Sequence, residues 1–579
     1  MPSLSEVRAQ LTGPGGMFEL VTEDVLGRPM QVYRERMRSL REIPQGAAGR
    51  GDDTTFLVYG DRTYGFRTFV ETSNGVARAL AERYGVGHGD RVAVLSQNNP
   101  EWCLTFWATV DLGAILVGLN GWWKADEILY GLQDSGAVVL VADRKRFERI
   151  ADRLPEAPDL THVFLVDADP SDFPAAADAV KLQRFDELVQ EPTDRFPDTP
   201  IAEDDDAVIF YTSGTTGKAK GAISTHRSMI ANLQNPLYSS VAAAMADPVA
   251  GAVLASGGGQ TVSLLTSPLF HVSGCHSNLV VGLLAGVKIV IPEGRFEPEK
   301  VLRLVEEHGV TVWATVPTMV WRVCEYPGRH DFDTSTVTSV AFGGSPSADE
   351  LQRKVRDTFP NVRSTSNAYG LTETSSVATV ISGQDARRKP WSVGPPVPGV
   401  EIRIADPLGR PLGVGETGEV CIRGPILMKG YWNKPEATAE AIDADGFLHT
   451  GDIGHLDDEG YLTITDRKKD MIIRGGENIY CVQIENRLVE HPLIADAAII
   501  GVPHPELGEE VKAVVQVEPG HEGELTDLDV RHWVRAELAD FKVPAHVEIR
   551  DEPLPRNASG KLLKNVLRGQ GEVSFAETL

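Results

Sequence analysis

The stretch Phe210 to Gly221, "FYTSGTTGKAKG", sets two serine or threonine pairs, three glycines and two lysines at the end of the apolar run "AVIFYT". A flexible turn of Thr212, Ser213, Gly214, Thr215, Thr216 and Gly217 can wrap phosphate oxygens with backbone N–H groups and hydroxyls, and Lys220 can neutralise their charge. The pattern is not the mononucleotide loop G-x-x-x-x-G-K-[ST]. Thr212 stands where its first glycine belongs, and Ala219 follows Lys218. A glycine-rich surface turn is the plain alternative.

Two other stretches invite chemistry and fail on context. "GVGETG" at Gly413, Gly415 and Gly418 satisfies G-x-G-x-x-G, but the strand-like "EVCIRG" follows, so no helix N-terminus faces a pyrophosphate. "GGSPS" at Gly343 to Ser347 lacks the last glycine of a nucleophile elbow, which removes support for a serine hydrolase.

The elements that must hold the opening turn follow a βαβ rhythm. "RVAVLSQNNPEWCLTFWATVDLGAILVGLN" runs from strand to helix to strand, with Asn99 as N-cap, Pro100 at the first helical position and Glu101 in the first turn. "ADEILYGLQDSGAVVLVAD" repeats helix, glycine stop at Gly136 and apolar strand. The alternation resumes at "VKIVIP", "EPEKVLRLVEEHG", "VTVWATVP" and "VTSVAF", which predicts a second α/β layer. From Val393 to Gly451, short strands broken by Gly and Pro predict a small antiparallel or barrel-like region. After "DRKKDMIIRGG" the chain restarts with its own strands and an amphipathic helix opened by Thr526. The expected fold is α/β: a large N-terminal body of two α/β subdomains plus a β-barrel-like region, then a small α+β C-terminal domain, which the resemblance given below implies is mobile. The boundary is placed between residues 468 and 469, giving domains 1–468 and 469–579.

Bulk properties narrow the function. A chain of 579 residues exceeds one core. A net charge of -26 repels nucleic acid and anionic membrane, so any anionic ligand must meet a local positive cluster. Five scattered cysteines signal neither a disulfide frame nor a zinc site and fit a reducing cytoplasm. No uncharged apolar run is long enough to span a bilayer, and the start lacks a secretory leader pattern.

Five segments taken together, "YTSGTTGKAKG", "NAYGLTE" (Asn367 to Glu373), "TGD" (Thr450 to Asp452), "DRKKDMIIRGGENI" (Asp466 to Ile479) and "PRNASGK" (Pro555 to Lys561), resemble in order and spacing the adenylate-forming superfamily. That superfamily holds acyl-CoA synthetases, carrier-protein adenylation domains and beetle luciferases, and the similarity runs from about Tyr64 to Arg568. One departure is Ala219, where members usually carry proline.

The resemblance implies ATP, Mg2+ and coenzyme A as reactants and cofactors, with a small carboxylic acid attacking the α-phosphate. Both partners are anions, so catalysis is mostly charge neutralisation and alignment. By resemblance, the turn from Thr212 to Lys220 holds the β- and γ-phosphates, Glu373 takes the metal and Thr372 bonds the α-phosphate. Tyr369 would lie on the adenine opposite Gly344, Ser345 and Pro346, with Ala368 and Gly370 beside it and the Asn367 amide offered to the exocyclic amine. Asp452 would accept from the ribose hydroxyls with Arg467 as second contact, although an Asp in "TGD" is otherwise a turn former. Lys561 would bridge carboxylate and α-phosphate, while by composition it is one exposed lysine among many.

Lys469 is implied as the hinge between two conformations, and Gly475 and Gly476 as the backbone beside the coenzyme A arm. In "HPELGEE", Leu507 stands where many relatives have a tryptophan that stacks on the coenzyme A adenine. "PLFHVSG" matches the acyl-gate motif, so His271 is the gate candidate, a buried structural histidine being the alternative; Val272, Gly274 and Thr318 are expected to line the pocket. The expected activity is an acid:CoA ligase acting on a fatty or other apolar acid. A free-standing adenylation enzyme that loads a carrier protein and a nucleotide-binding protein without turnover are the alternatives. A homodimer is compatible with this reading, and no nucleic acid or membrane span is expected.

Overall fold

The computed structural model of the chain describes residues 4–212, 218–246, 259–343, 349–475, 477–557 and 561–570. Among these residues the strand and helix alternation builds two large sheets. In the first, the strands stand in the spatial order Lys220–Thr225, Asp206–Thr212, Ile115–Gly118, Arg91–Leu95, Val139–Asp143, His162–Val166 and Lys181–Arg184. Only the pair Asp206–Thr212 and Lys220–Thr225 is antiparallel. The second runs Ser376–Ile381, Ser364–Leu371, Ser339–Gly343, Val312–Thr315, Val262–Leu264, Lys288–Ile291, Thr55–Tyr59 and Arg62–Gly65, parallel except for the hairpin at each edge.

This topology explains where the polar motifs fall. Parallel strands buried on both faces read as apolar runs such as Val92–Leu95 and Val139–Ala142, which leaves polar side chains to the strand ends. An antiparallel edge pair needs only a short return: in one edge hairpin Thr212 pairs with Lys220 at the strand ends, and in the other the return carries Thr372 to Ser375. One core packs between the sheets around Trp102, Phe106, Trp107 and Phe210, all essentially inaccessible to water. Each such side chain contributes about 1.5–3 kcal/mol by leaving water.

Helix ends follow the sequence signals. Asn99 Oδ1 accepts the Trp102 N–H at 2.8 Å to open the helix Pro100–Asp111. Gly136 and Gly309 close the helices Ala125–Ser135 and Pro298–His308 at φ of 61° and 62°, a backbone region open to glycine. Trp123 packs in the core edge-on to Tyr211, with ring centroids 5.5 Å apart.

The Gly- and Pro-broken region becomes an antiparallel sheet of Glu401–Ala405, Gly418–Arg423, Leu448–Leu456 and Leu462–Arg467. "GVGETG" thus leads into a strand. Beyond Lys469, the strands Ile472–Arg474, Glu477–Ile479, Ile494–His504, Gly508–Val517 and His546–Arg550 form a sheet with its own core, covered by the helices Cys481–Val489 and Asp527–Arg535. Thr526 Oγ1 caps the latter, accepting from the Asp529 N–H. All five cysteines are buried thiols, and no helix among the described residues is long and apolar enough to cross a membrane.

Candidate active site

The strand register brings the first pair together. In the antiparallel pairing of Leu448–Leu456 with Leu462–Arg467, Asp452 stands opposite Arg467, and Arg467 Nε lies 2.9 Å from Asp452 Oδ1. The second sheet contributes Tyr369, whose hydroxyl donates to Asp452 Oδ2 at 2.6 Å. Burial, and next the Asp452 charge, push the Tyr369 phenol well above its usual range, so it stays a donor. A carboxylate offers about four lone-pair sites, and the two donors described here leave others open to further donors.

Glu373 sits in the return between Ser364–Leu371 and Ser376–Ile381. Its Oε1 accepts the Tyr431 hydroxyl at 2.8 Å, and its carbonyl accepts the Met428 N–H at 2.8 Å. Among the described residues Oε2 takes no hydrogen bond. Tyr431 is placed by the first sheet: Ile223 N–H donates to Gly430 O, Lys429 N–H to Ile223 O and Trp432 N–H to Gly221 O, so the segment runs along the edge strand Lys220–Thr225. The Tyr431 ring then lies beneath Lys220 Nζ, 5.1 Å from its centroid. One tyrosine therefore joins the lysine of one hairpin to the carboxylate of the other. Nothing in the local sequence marks it.

The segment Lys218–Ala219, just before the edge strand Lys220–Thr225, is braced by Tyr130. Tyr130 donates to the Ala219 carbonyl at 3.0 Å, and Lys218 Nζ sits 4.9 Å from the Tyr130 ring centroid. Ser213, Gly214, Thr215, Thr216, Gly217, Gly344, Ser345, Pro346 and Gly476 lie outside the described residues.

Lys561 approaches from the C-terminal lobe. Its N–H donates to Asn557 Oδ1 at 2.8 Å, and neighbouring Arg556 reaches both lobes, with Nη1 3.4 Å from Thr318 Oγ1 and Nη2 2.7 Å from Asp496 Oδ2. Lys561 keeps solvent access, yet protein crowds its side chain. That crowding, with Arg467 next and Lys469 adding, lowers its ammonium to about 8 against the pull of Asp452 and Glu373. Burial, then Lys561, pulls His271 down to about 4, so this ring is neutral beside the ammonium. Lys469 is likewise lowered by burial. Arg467, Asp452, Glu373, His271 and Lys561, spread over five sequence segments, thus share one electrostatic neighbourhood.

The family model described as AMP-binding enzyme matches residues 44–432, and that described as AMP-binding enzyme C-terminal domain matches residues 483–561. This chain belongs to the AMP-binding enzyme family. It is 35% identical over 532 residues to a feruloyl-CoA synthase of Amycolatopsis sp, covering 92% of this chain and 97% of that protein. A long-chain-fatty-acid–CoA ligase of Bacillus subtilis (strain 168) is 31% identical over 92% of this chain and 94% of its own. Among solved structures, ATP-bound MatB from Rhodopseudomonas palustris aligns with a TM-score of 0.75 at 30% identity, covering 92% and 99% of the two chains. As a member of this family the chain is an AMP-forming acyl-CoA synthetase, an adenylating enzyme that binds ATP.

Within this AMP-binding enzyme a cavity of about 180 Å³ lies beside the Tyr369 strand, lined by Ala368, Val377 and Val380 of the edge hairpin, Met229, Asn232 and Leu233 of the helix His226–Ala246, His276 and Val280. The residues expected to line an acyl pocket, His271, Val272, Gly274 and Thr318, are not in this lining. His271 neighbours Lys561 instead, and Thr318 meets Arg556. The Val272 carbonyl accepts the His276 N–H at 2.9 Å. A Cβ on Gly274 would stand 2.1 Å from the Pro268 carbonyl oxygen, which accounts for that glycine by backbone packing. Gly475 has φ of 58°; its N–H donates to the Leu507 carbonyl at 2.8 Å, and a Cβ there would meet Leu507 Cδ2 at 3.4 Å. Leu507 therefore occupies the ground beside the glycine turn.

Proposed function

We propose that this enzyme joins an apolar carboxylic acid to the α-phosphate of ATP with release of pyrophosphate, then moves the acyl group to the thiol of coenzyme A with release of AMP. The observation that carries the reading is the meeting of Lys561, from one lobe, with Arg467, Asp452, Glu373 and His271 of the other. Two anions react, and a cation delivered between them screens their repulsion while adding no bulk on the attack path. Lys561 takes that role, Asp452 and Arg467 the ribose, Tyr369 with Ala368, Gly370 and Asn367 the adenine side, and Lys220 with the turn from Thr212 the outgoing phosphates. Thr372 takes the α-phosphate.

Glu373 fits Mg2+: its Oε2 is open for a hard cation, and Lys220 stands on the same tyrosine. When bound, the ion neutralises phosphate charge. The chain's own contribution is to orient that carboxylate through Tyr431 and to face it toward the turn.

The cavity supports an apolar acid. Its wall is built chiefly from Met229, Leu233, Val280, Val377 and Val380, and 180 Å³ holds an aryl ring or a medium aliphatic chain. The relatives named above act, by name, on a feruloyl group and on long-chain fatty acids; the first is of the size this cavity holds and the second exceeds it. For the thioester step, the C-terminal lobe turns about Lys469, and Gly475 and Gly476 face the coenzyme A arm. A relative named fatty acid–[acyl-carrier-protein] ligase, 32% identical, favours one second reading, transfer to a carrier protein.

The test is incubation with MgATP, coenzyme A and a panel of aliphatic and aryl acids. AMP and acyl-CoA are the expected products. Pyrophosphate exchange with no thioester would move the reading to carrier loading, and absence of both would reject it.

A further inference from the structure

Two side chains in the cavity wall also grip the turn that follows Glu373. Asn232 Nδ2 donates to the carbonyls of Thr374 at 3.1 Å and Ser375 at 3.3 Å, and its Oδ1 accepts the Val377 N–H at 3.0 Å. His276 Nδ1 lies 2.9 Å from the same Ser375 carbonyl. A carbonyl only accepts, so Nδ1 carries the proton, and burial keeps this ring neutral by lowering it to about 4. The His276 ring also packs against Phe210, with centroids 5.4 Å apart, two residues before Thr212.

The turn requires such a grip. Ser375 and Ser376 hold φ of 50° and 132°, a half of backbone space that L-residues avoid unless surroundings over-determine it. Ser375 Oγ bonds Ser224 at 3.1 Å and Ser228 at 2.9 Å, and Ser376 Oγ bonds Ser277 at 2.6 Å. His276 reaches the turn from a stretch wound as π-helix, Cys275–Val280, where Ser277 N–H donates to Val272 O at 3.0 Å and Leu279 N–H to Gly274 O at 3.1 Å. Such widened turns recur at functional sites. Asn232, His276, Ser277, Ser376 and Val377 all line the cavity, so one set of groups borders the acyl space on one side and the Thr372–Glu373 segment on the other.

We infer that Asn232 and His276 are positioning residues that couple filling of the acyl cavity to the setting of Thr372 and Glu373 against the phosphates of MgATP. The inference rests on the proposed function and adds to it an energetic link between two subsites. An acid that packs against Asn232 and His276 confines them, and they confine the strained turn; an acid too short to reach them leaves the turn freer. By reciprocity, cavity-filling acids lower the KM of MgATP in the acyl-AMP step when binding is at equilibrium.

The test uses the full chain, acid-dependent ATP–pyrophosphate exchange, and the best acid of a panel from acetate to palmitate with ferulate. His276→Phe keeps ring bulk without a donor, and Asn232→Ala removes the amide; each is expected to raise the KM of MgATP and lower kcat by about tenfold. His276→Asn, whose amide can donate where Nδ1 does, recovers both to within about threefold, and all three variants lose several-fold less in conversion of supplied acyl-AMP to thioester than in exchange. A change confined to the KM of the acid would reduce the two residues to lining, and equal loss in both half-reactions would reduce them to scaffold; either result overturns the coupling. Absence of exchange by the unaltered protein with every acid would instead remove the proposed function beneath it.

Discussion

Asp452 is held between two donors from different sheets, Arg467 Nε at 2.9 Å on Oδ1 and the Tyr369 hydroxyl at 2.6 Å on Oδ2. The carboxylate is 3% exposed, so removing it leaves a buried phenol without its acceptor. Asp452→Ala is expected to lose about 1–3 kcal/mol of stability and to weaken ATP binding at least tenfold. Thermal unfolding with and without ATP measures both. A variant that unfolds earlier yet binds ATP unchanged would show that the carboxylate serves the fold alone.

Lys561 sets a pH dependence whose sign can be worked out. Its ammonium is lowered to about 8, so in the free enzyme it is charged below that pH and neutral above it. The kcat/KM for acyl-AMP formation, which reports the free enzyme, should fall as pH rises through about 8. Saturating MgATP brings anions that favour the ammonium and moves the fall in kcat upward. His271, lowered to about 4, is neutral throughout this window and cannot produce it. Lys561→Arg keeps its charge and should flatten the profile at reduced rate; an unchanged midpoint in that variant would assign the titration elsewhere.

The parts of this site that are legible in the sequence are those built by neighbouring residues. A β-branched run ending in Ser, Thr and Gly announces a strand with a donor-rich return, and Asn99–Pro100 or Gly136 announce helix ends. The adhesive between these parts is not legible. Tyr431 meets Glu373 across 58 positions, and His276 meets Ser375 across 99. Both contacts depend on which edge strand faces which, a matter of tertiary packing that no local period records. The cavity is hidden for the same reason. Its wall mixes one face of His226–Ala246 with a hairpin far along the chain.

Arg556 ties the lobes in the arrangement described, through Thr318 on one side and Asp496 on the other. A second tie joins the Asp466 carboxylate to the Cys481 N–H at the start of the helix Cys481–Val489. Rotation about Lys469 would break both. Arg556→Ala should therefore slow acyl-AMP formation by about three- to tenfold, one hydrogen bond to a charged group, and leave thioester formation from supplied acyl-AMP intact. Equal effects on the two half-reactions would contradict a latch specific to the first.

A substitution at Gly475 is expected to separate the half-reactions in the opposite direction. Its φ of 58° strains any L-residue, and Leu507 Cδ2 already stands 3.4 Å from where a Cβ would fall. A side chain there projects into the ground assigned to the coenzyme A arm. Gly475→Val should cost about 1–2 kcal/mol in local strain, leave pyrophosphate exchange within about threefold, and cut thioester formation at least tenfold with a raised KM for coenzyme A. Leu507→Ala in the same background opens room beside the new side chain and should return part of the loss. Thioester formation unchanged by Gly475→Val would place the coenzyme A arm elsewhere.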